Sequence, residues 1–391
     1  MTLDHEIDQN VAAGTTSTAN PVAETPRGLP SGWTVDQANS PAELDPEEWD
    51  RLVVDAGGGF YLSRGWLSAI HGVDGFTERT KLVRDERGKL VAALGLYTIE
   101  QCTNPLYDPH AVLAPDTDPD DWKPQLVIGG RSGYTNGILA TTDQGYAAVA
   151  ALAAEAVQES GCGSAAIMYL ERDHARRISA LLPGTTPVLT GFRARIPVTF
   201  DDWDGYLASM SNGRKWEARR ELRKFEAAGC RIEVTELSPY VEPLGRLLGN
   251  VQRHHGVDIP DELHIGYLRG CAKGALAEQA VVFQCFRGED LIGFALGFRH
   301  RGQLAMRVAG LDYEKTRGTN AYFVLMSYQP VRYALEHGLT TIDLGPEGYR
   351  TKLLRGGELV PLYAVPVRTP EVWGAELAAA HNERVAQEWE S

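Results

Sequence analysis

The sequence predicts an α/β protein made of two tandem domains of the same kind. The chain has 391 residues, about two to three times the length of a typical domain. Helical and strand-like patterns alternate after about residue 30. Residues 88–97 and 289–298 have similar patterns, each a strand opened by a charged turn, which indicates an internal duplication.

Each half repeats the same order of elements. Probable strands at 80–85 and 280–287 precede the two similar segments and complete two hairpins. A helix and a strand follow each hairpin. In the first half they are predicted at 148–160 and 165–170, and in the second half at 328–337 and 341–344. Gly161 and Gly338 come directly after the two helices, where glycine is the expected cap because it tolerates the left-handed conformation. We therefore predict helices, hairpin, loop, helix and strand in both halves.

Composition excludes several classes of protein. The formal charge of −14 disfavours a nucleic-acid ligand unless cations gather locally. No run approaches about 18 apolar residues, and the acidic start lacks an apolar segment, so we predict neither a membrane span nor a signal peptide. The five cysteines are scattered and favour a reducing, cytoplasmic location. Neither the cysteines nor the ten histidines have metal-ligand spacing, so no metal site is predicted.

The order of elements is that of the acetyltransferase (GNAT) fold, and two segments carry a closer resemblance. Residues 343–352 resemble the strand–glycine–turn–Tyr/Phe-Lys signature of the FemABX group and the related CelD-like family of tandem GNAT-fold acyltransferases. The basic segment 211–229 resembles the helix that introduces their second domain. The resemblance covers roughly 32–368 and implies two GNAT-like domains with central mixed sheets, whose activity is peptidyltransferase-like and uses aminoacyl-tRNA.

The resulting division of the chain has five parts. These are a disordered tail at 1–30, an acceptor-side domain at 31–200, a basic linking helix at 201–228, a catalytic donor-side domain at 229–370 and a C-terminal helix at 371–391. The tail prediction depends on the Thr-, Ala-, Pro- and Ser-rich composition, which cannot bury enough apolar surface to offset its ordering entropy.

Three residues near the end of the second half are catalytic candidates. Acyl transfer to an amine needs a stabilised oxyanion and removal of a proton from the amine. The resemblance assigns the first role to Lys352. Asp343 and Glu347 are carboxylates in the same segment that could orient or deprotonate the amine, although a carboxylate after a strand is also a common turn-former.

The donor is predicted by two segments. The loop at 315–320 stands where CoA-dependent acetyltransferases carry a glycine-rich pyrophosphate loop, but it keeps one glycine and has Asn320 in place of Gly or Ala. The basic helix concentrates cations on one face, which favours phosphate binding, the alternative being a solvated face. The donor candidates are Arg317, Gly318, Thr319, Asn320, Arg219, Arg220, Arg223 and Lys224. Aminoacyl-tRNA is the favoured donor substrate, with acyl-CoA as the alternative, and no cofactor is predicted.

The acceptor is predicted to be the amine of a small molecule or peptide. GNAT-like folds place it against the first helices and neighbouring loops, and the glycine-rich loop 129–137 is one such loop. The acceptor-binding candidates are Tyr61, Trp66, Arg131, Tyr134, His254, His255 and Tyr349. A third hypothesis, from another class, is a catalytically idle binding module that keeps the fold.

Overall fold

A computed structural model describes residues 29–72, 76–100, 102 and 104–390. The predicted disordered tail lies outside the described residues, except for its last two positions. The remainder is organised around one large mixed sheet, with helices packed on both sides of it.

Within the described ranges, thirteen strands form the sheet. They are β1 (Thr34–Ala38), β2 (Thr77–Arg84), β3 (Leu90–Ile99), β4 (Gln125–Ile128), β5 (Leu139–Ala140), β6 (Ser164–Glu171), β7 (Val188–Pro197), β8 (Cys230–Thr235), β9 (Ala280–Arg287), β10 (Asp290–His300), β11 (Gln303–Leu311), β12 (Thr341–Gly345) and β13 (Glu358–Arg368). Their spatial order is β1-β2-β3-β4-β6-β13-β7-β12-β11-β10-β9-β8, with the short β5 attached to β3. Both predicted hairpins are present, as β2–β3 and β9–β10.

Helices connect these strands. In the part of the chain that the structure describes they are α1 (Pro46–Asp55), α2 (Arg64–Ile70), α3 (Pro109–Leu113), α4 (Asp143–Ser160), α5 (Arg172–Ser179), α6 (Trp203–Ala208), α7 (Asn212–Ala227), α8 (Val241–His254), α9 (Asp261–Cys271), α10 (Gly274–Gln279), α11 (Tyr313–Thr316), α12 (Ala321–Phe323), α13 (Gln329–Glu336), α14 (Tyr349–Leu353) and α15 (Ala375–Glu390). A π-helical turn, Val324–Tyr328, joins α12 to α13. None of these described helices is long and apolar enough to span a membrane.

The two halves repeat one topology and exchange their last strands. Each half contains one parallel pair, β4 with β6 and β11 with β12, and its other named strands pair antiparallel. The last strand of each half leaves its own half, so that β7 pairs with β12 and β13 pairs with β6. β7 and β13 also pair with each other and join the halves into one sheet. Because of this exchange, each half takes part of its sheet from the other half. The predicted domain boundaries at residues 200 and 229 therefore stay a prediction.

The core also crosses between the halves. Phe60, between α1 and α2, and Trp66 of α2 are almost completely buried, and the Phe60 ring stacks on Phe298 of β10 at 4.9 Å between centroids. Both predicted helix caps are also present: Gly161 and Gly338 have φ values of 60° and 63°, in the left-handed region expected for a glycine after a helix. The sheet and the shared core together fix the two halves relative to each other.

Candidate active site at the junction of the two halves

The site is built where β11 and β12 separate. These parallel strands pair from Gln303–Thr341 to Ala305–Asp343 and then diverge. Tyr134, from the glycine-rich loop of the first half, enters the opening, where its hydroxyl donates to the carbonyl oxygen of Arg307 at 3.2 Å. A Cβ atom at Gly345 would lie 2.8 Å from the Tyr134 ring, so glycine is needed for this approach.

A cavity of about 570 Å³ lies beside this opening, within the usual size range of small-molecule sites. Both halves contribute to its wall. The lining comprises residues 105–107, 111–112, 133–134 and 169, residues 190–192 of β7, residues 346–351, Leu362 of β13, and residues 384–385 of α15. A ligand in the cavity would therefore contact the turn that carries the predicted signature.

The turn between β12 and α14 has an unusual backbone. Glu347 has a φ of 62° and is followed by Gly348 at 56°. The left-handed region costs a residue with a side chain roughly 1–2 kcal/mol, and such residues cluster at functional sites. Glu347 is exposed and lines the cavity, so its carboxylate is available to a ligand.

Lys352 lies beneath this turn. It is only 8% exposed, and Nζ donates to the carbonyl oxygens of Gly345 at 3.1 Å and Pro346 at 2.6 Å. An ammonium group has three N–H bonds, so these two hydrogen bonds leave one for a substrate. Lys352 does not itself line the cavity, but its neighbour Thr351 and its hydrogen-bond partner Pro346 both do.

The ionisation of Lys352 has a predictable consequence. Burial lowers the pKa of this lysine to about 8, against the opposing effect of Asp343 and Glu347. If the ammonium form stabilises the oxyanion, turnover should be constant well below pH 8 and should fall as the pH rises through about 8. Initial rates across this range, on a donor ester stable to it, measure the effect. The acceptor amine also titrates in this range, so the profile is compared with that of Lys352→Met, and a fall of the same size in both would exclude the lysine as its cause.

Asp343, a candidate for orienting or deprotonating the amine, is buried in the protein. Its carboxylate is buried, accepts from the Gly345 N–H at 2.9 Å and binds Arg193 Nη1 of β7 at 2.8 Å. Arg193 also contacts Glu171 at the end of β6. With both oxygens engaged, Asp343 suits orientation of the strand end better than proton removal.

Two of the predicted acceptor residues line the cavity and two belong to the core. Tyr134 and Tyr349 are at the cavity surface, and the Tyr349 hydroxyl donates to the Phe192 carbonyl oxygen at 3.0 Å. Tyr61 and Trp66 are buried core residues instead.

Arg131 is also buried, so its side chain is not available to bind a ligand. Its guanidinium group lies 3.9 Å from the Phe76 ring centroid and donates to the carbonyl oxygen of Ile70. His254 and His255 are exposed at the end of α8, where His254 stacks on Tyr313 at 4.0 Å, and neither lines the cavity. The structure thus does not bring Tyr61, Trp66, Arg131, His254 or His255 to the cavity surface.

The predicted donor loop is partly closed by its own hydrogen bonds. Thr319 is buried, its N–H donates to the Thr316 carbonyl oxygen, and its hydroxyl accepts from the Ala321 N–H at 3.1 Å. Asn320 is left-handed, while Arg317 and Gly318 are exposed. Two N–H groups that a phosphate would use at this helix start are therefore already occupied.

The basic helix α7 is fastened at its inner face. Glu221 is buried and binds Arg355 through Nε at 3.1 Å and through Nη2, and it also accepts from the Tyr328 hydroxyl. Arg214 donates to the Leu353 carbonyl oxygen at 2.9 Å. The helix therefore lies directly against the end of α14.

The outer face of α7 carries exposed cations. Arg219, Arg223 and Lys224 are exposed, whereas Arg220 pairs with Glu217. Trp216 is 57% exposed on the same helix. The sequence suggests that Glu221 partly neutralises this face, but the burial of Glu221 against Arg355 removes that compensation.

Arg307 and Tyr107 are site residues that the sequence did not point to. Arg307 Nη2 donates to the Tyr107 hydroxyl at 2.9 Å, and Nε to the Tyr267 hydroxyl at 3.2 Å. The available signal was a single charged residue, Arg307, in a strand that is otherwise apolar from Leu304 to Leu311. Tyr107 carried no comparable signal, because it lies in an irregular segment far away in the sequence.

Comparison with known proteins supports this architecture. Residues 211–353 match the family model described as an acetyltransferase (GNAT) domain. No curated protein sequence matches the chain.

Several solved structures share the fold over most of the chain. FemX superposes with a TM-score of 0.58 at 12% identity, covering 91% of this chain and 100% of FemX. A C-terminal DUF2156 domain, described as that of a lysylphosphatidylglycerol synthetase from Agrobacterium fabrum, has a TM-score of 0.53 at 14% identity, covering 89% of this chain and 97% of that chain. L-PGS from Bacillus licheniformis has a TM-score of 0.51 at 13% identity, covering 87% and 96%.

These matches agree with the duplicated topology and with the resemblance found in the sequence. The predicted α/β fold of two GNAT-like halves is confirmed. Residues 211–353 thus match the GNAT domain family, within a chain whose overall fold is similar to that of FemX.

Proposed function

We propose that the protein is an amide-forming transferase that moves an activated aminoacyl group, carried by tRNA, to the amine of a small molecule or peptide. The observation that carries the proposal is the turn after β12, where Glu347 lines the cavity and Lys352 binds the cavity-lining Pro346 from beneath. The fold shared with FemX and the GNAT domain match support acyl transfer as the reaction class.

In the proposed reaction the acceptor nitrogen attacks the carbonyl carbon of the aminoacyl ester. A C–N bond forms, and the carbonyl oxygen becomes an oxyanion, which the Lys352 ammonium group stabilises through its third N–H bond. Glu347 takes a proton from the attacking amine. Collapse breaks the ester C–O bond, and the proton that Glu347 took from the amine passes to the leaving ribose oxygen. No covalent enzyme intermediate is needed.

Two features favour tRNA over acyl-CoA as the donor. The opening between β11 and β12 is filled by Tyr134, and the loop after β11 uses its Thr319 and Ala321 N–H groups internally. In contrast, the exposed cations of α7 lie on a helix fastened to Leu353, the residue next to Lys352. A phosphate backbone held on α7 would thus run close to the catalytic turn.

The salt dependence of donor binding tests this role of α7. The double change Arg219→Gln and Arg223→Gln should weaken binding of charged tRNA regardless of its sequence. The log–log salt slope should become shallower by about one unit for each phosphate that the helix no longer binds. Thermal stability should barely change, because exposed charges contribute only about 0–1 kcal/mol each. Fluorescence anisotropy at several salt concentrations measures the affinity and the slope, and a thermal melt measures the stability.

A matched control uses two exposed lysines of the first half, Lys89→Gln and Lys123→Gln. These changes remove the same net charge far from α7 in the fold and should leave the slope unchanged. If the α7 variant also keeps the wild-type affinity and slope, the helix is a solvated face and the tRNA donor loses its physical support.

A second candidate function is acyl-CoA-dependent N-acyltransfer by the GNAT domain. The observation that favours it is the exposed Arg317–Gly318 pair in the loop between α11 and α12. Incubation of the protein with charged tRNAs and with a panel of acyl-CoAs, with the acceptor amines supplied as a mixture, discriminates the two. Consumption of acyl-CoA that depends on Arg317 would establish the second function, and consumption of neither donor would favour an idle binding module.

A further inference from the structure

Arg307 is a half-buried cation whose guanidinium group has no carboxylate partner among the described residues. Among the described residues it forms no ion pair, and its Nη1 is buried with no hydrogen-bond partner. Its two other nitrogens, Nη2 and Nε, donate to the hydroxyl groups of Tyr107 and Tyr267. A buried charge is ordinarily paired, because its desolvation is otherwise uncompensated. The arrangement therefore lacks an anion.

The groups around Arg307 are aromatic and neutral. Its guanidinium carbon lies 4.3 Å from the Tyr134 ring centroid, 5.0 Å from that of Trp66 and 5.8 Å from that of Tyr61. Burial raises the pKa of Tyr61, Tyr134 and Tyr267, so these side chains remain phenols at neutral pH. The rings stabilise the cation through cation–π contacts but leave its charge intact.

Two of the tyrosines connect the cation to the cavity. Tyr107 and Tyr134 both line it. The Tyr134 hydroxyl is committed to the Arg307 carbonyl oxygen. In contrast, the Tyr107 oxygen accepts from Arg307 Nη2 and keeps its own proton to donate. A hydrogen bond donated by this hydroxyl is strengthened by the cation behind it.

The remaining wall indicates what else the ligand carries. Glu347 lies on the same cavity and would attract an amine. An apolar surface surrounds the polar turn and is formed by Leu106, Val112, Phe192, Leu362 and Val385. The cavity thus combines a side suited to an anion, to which the lining cations Arg350 and Arg384 also contribute, an apolar wall and a carboxylate.

We propose that the cavity binds a small amine that also bears a carboxylate, an amino acid or short peptide with an apolar side chain. Tyr107 donates to the ligand carboxylate, and Arg307 is the positioning residue that acts through Tyr107. This inference rests on the proposed function in one respect, which is that the ligand is taken to be the acceptor of the transfer reaction.

Direct binding tests the inference without any donor. Calorimetry with L-leucyl-L-phenylalanine and with its C-terminal amide compares one ligand with and without the carboxylate. A charge-assisted hydrogen bond should favour the free acid by about 10-fold or more. Tyr107→Phe, which keeps the ring, should reduce the ratio to about 1, and Arg307→Met should do the same.

Tyr169→Phe is the matched control, since Tyr169 lines the same cavity but donates to the Leu106 carbonyl oxygen. It should keep the preference for the free acid. Circular dichroism confirms that each variant is folded, and Tyr107→Phe carries the test if Arg307→Met unfolds. Equal binding of acid and amide by the wild type, binding of neither, or a preference that survives Tyr107→Phe overturns the inference. Because no donor is present, failure of aminoacyl transfer would leave this result unaffected.

Discussion

Replacement of Lys352 by methionine should abolish most of the turnover while leaving the protein folded. Methionine fills a similar volume but has no charge, so the oxyanion loses its proposed stabilising N–H group. Loss of one preorganised oxyanion donor lowers kcat by about 10²–10³. Single-turnover rates with saturating donor measure the effect, and the donor affinity should remain near the wild-type value because α7 is untouched.

The folded state should tolerate this change. Because burial lowers the pKa of Lys352 to about 8, the charged lysine costs stability in full below about pH 8. This cost shrinks as the pH rises above 8 and is gone once the pH exceeds the pKa of the unfolded chain. Methionine removes that cost together with two hydrogen bonds. Lys89→Met is the control, since Lys89 is an exposed lysine at the turn of the β2–β3 hairpin and pairs with Asp55 of α1. Wild-type turnover in Lys352→Met would exclude the lysine from the mechanism.

Replacement of Glu221 by glutamine should strongly destabilise the protein. Glu221 and Arg355 are 3% and 5% exposed, and the carboxylate also accepts from Tyr328. Glutamine keeps the shape but leaves the Arg355 cation buried without its counter-charge, which costs about 3–5 kcal/mol. Denaturant titration followed by circular dichroism should show a decrease of that size in the free energy of unfolding.

Glu217→Gln provides the comparison on the same helix. Glu217 pairs with Arg220 at the surface, so its removal should cost only about 0–1 kcal/mol. The double change Glu221→Leu and Arg355→Leu should recover part of the stability, because it leaves no unpaired charge. If Glu221→Gln costs no more than Glu217→Gln, the buried pair does not anchor α7.

Features encoded within about ten consecutive residues could be predicted from the sequence. The hairpin β9–β10, the helix ends at Gly161 and Gly338, and the basic helix α7 all depend on local periodicity and capping. The turn carrying Glu347 and Lys352 is recognisable too, because its glycines and charges are adjacent in the sequence.

The sequence did not indicate how distant segments meet. Tyr134 is predicted as an acceptor residue and lies at the cavity, yet its second role, filling the opening between β11 and β12, needs contact with the other half. The chemistry of His254 and Arg131 suits ligand binding, but the structure directs one to Tyr313 and the other to Phe76. Ring stacking and burial are decided by neighbours that periodicity does not specify.

By itself the sequence thus determined the duplicated α/β order, the basic helix and the turn with the catalytic candidates, since each is fixed by short-range patterns. Only the tertiary structure decided the exchange of β7 and β13, the cavity at the junction and the tyrosine-held cation of Arg307. These features join residues far apart in the chain. Their pairing is selected by the burial of apolar surface and by backbone hydrogen bonding over the whole sheet, which no local pattern records.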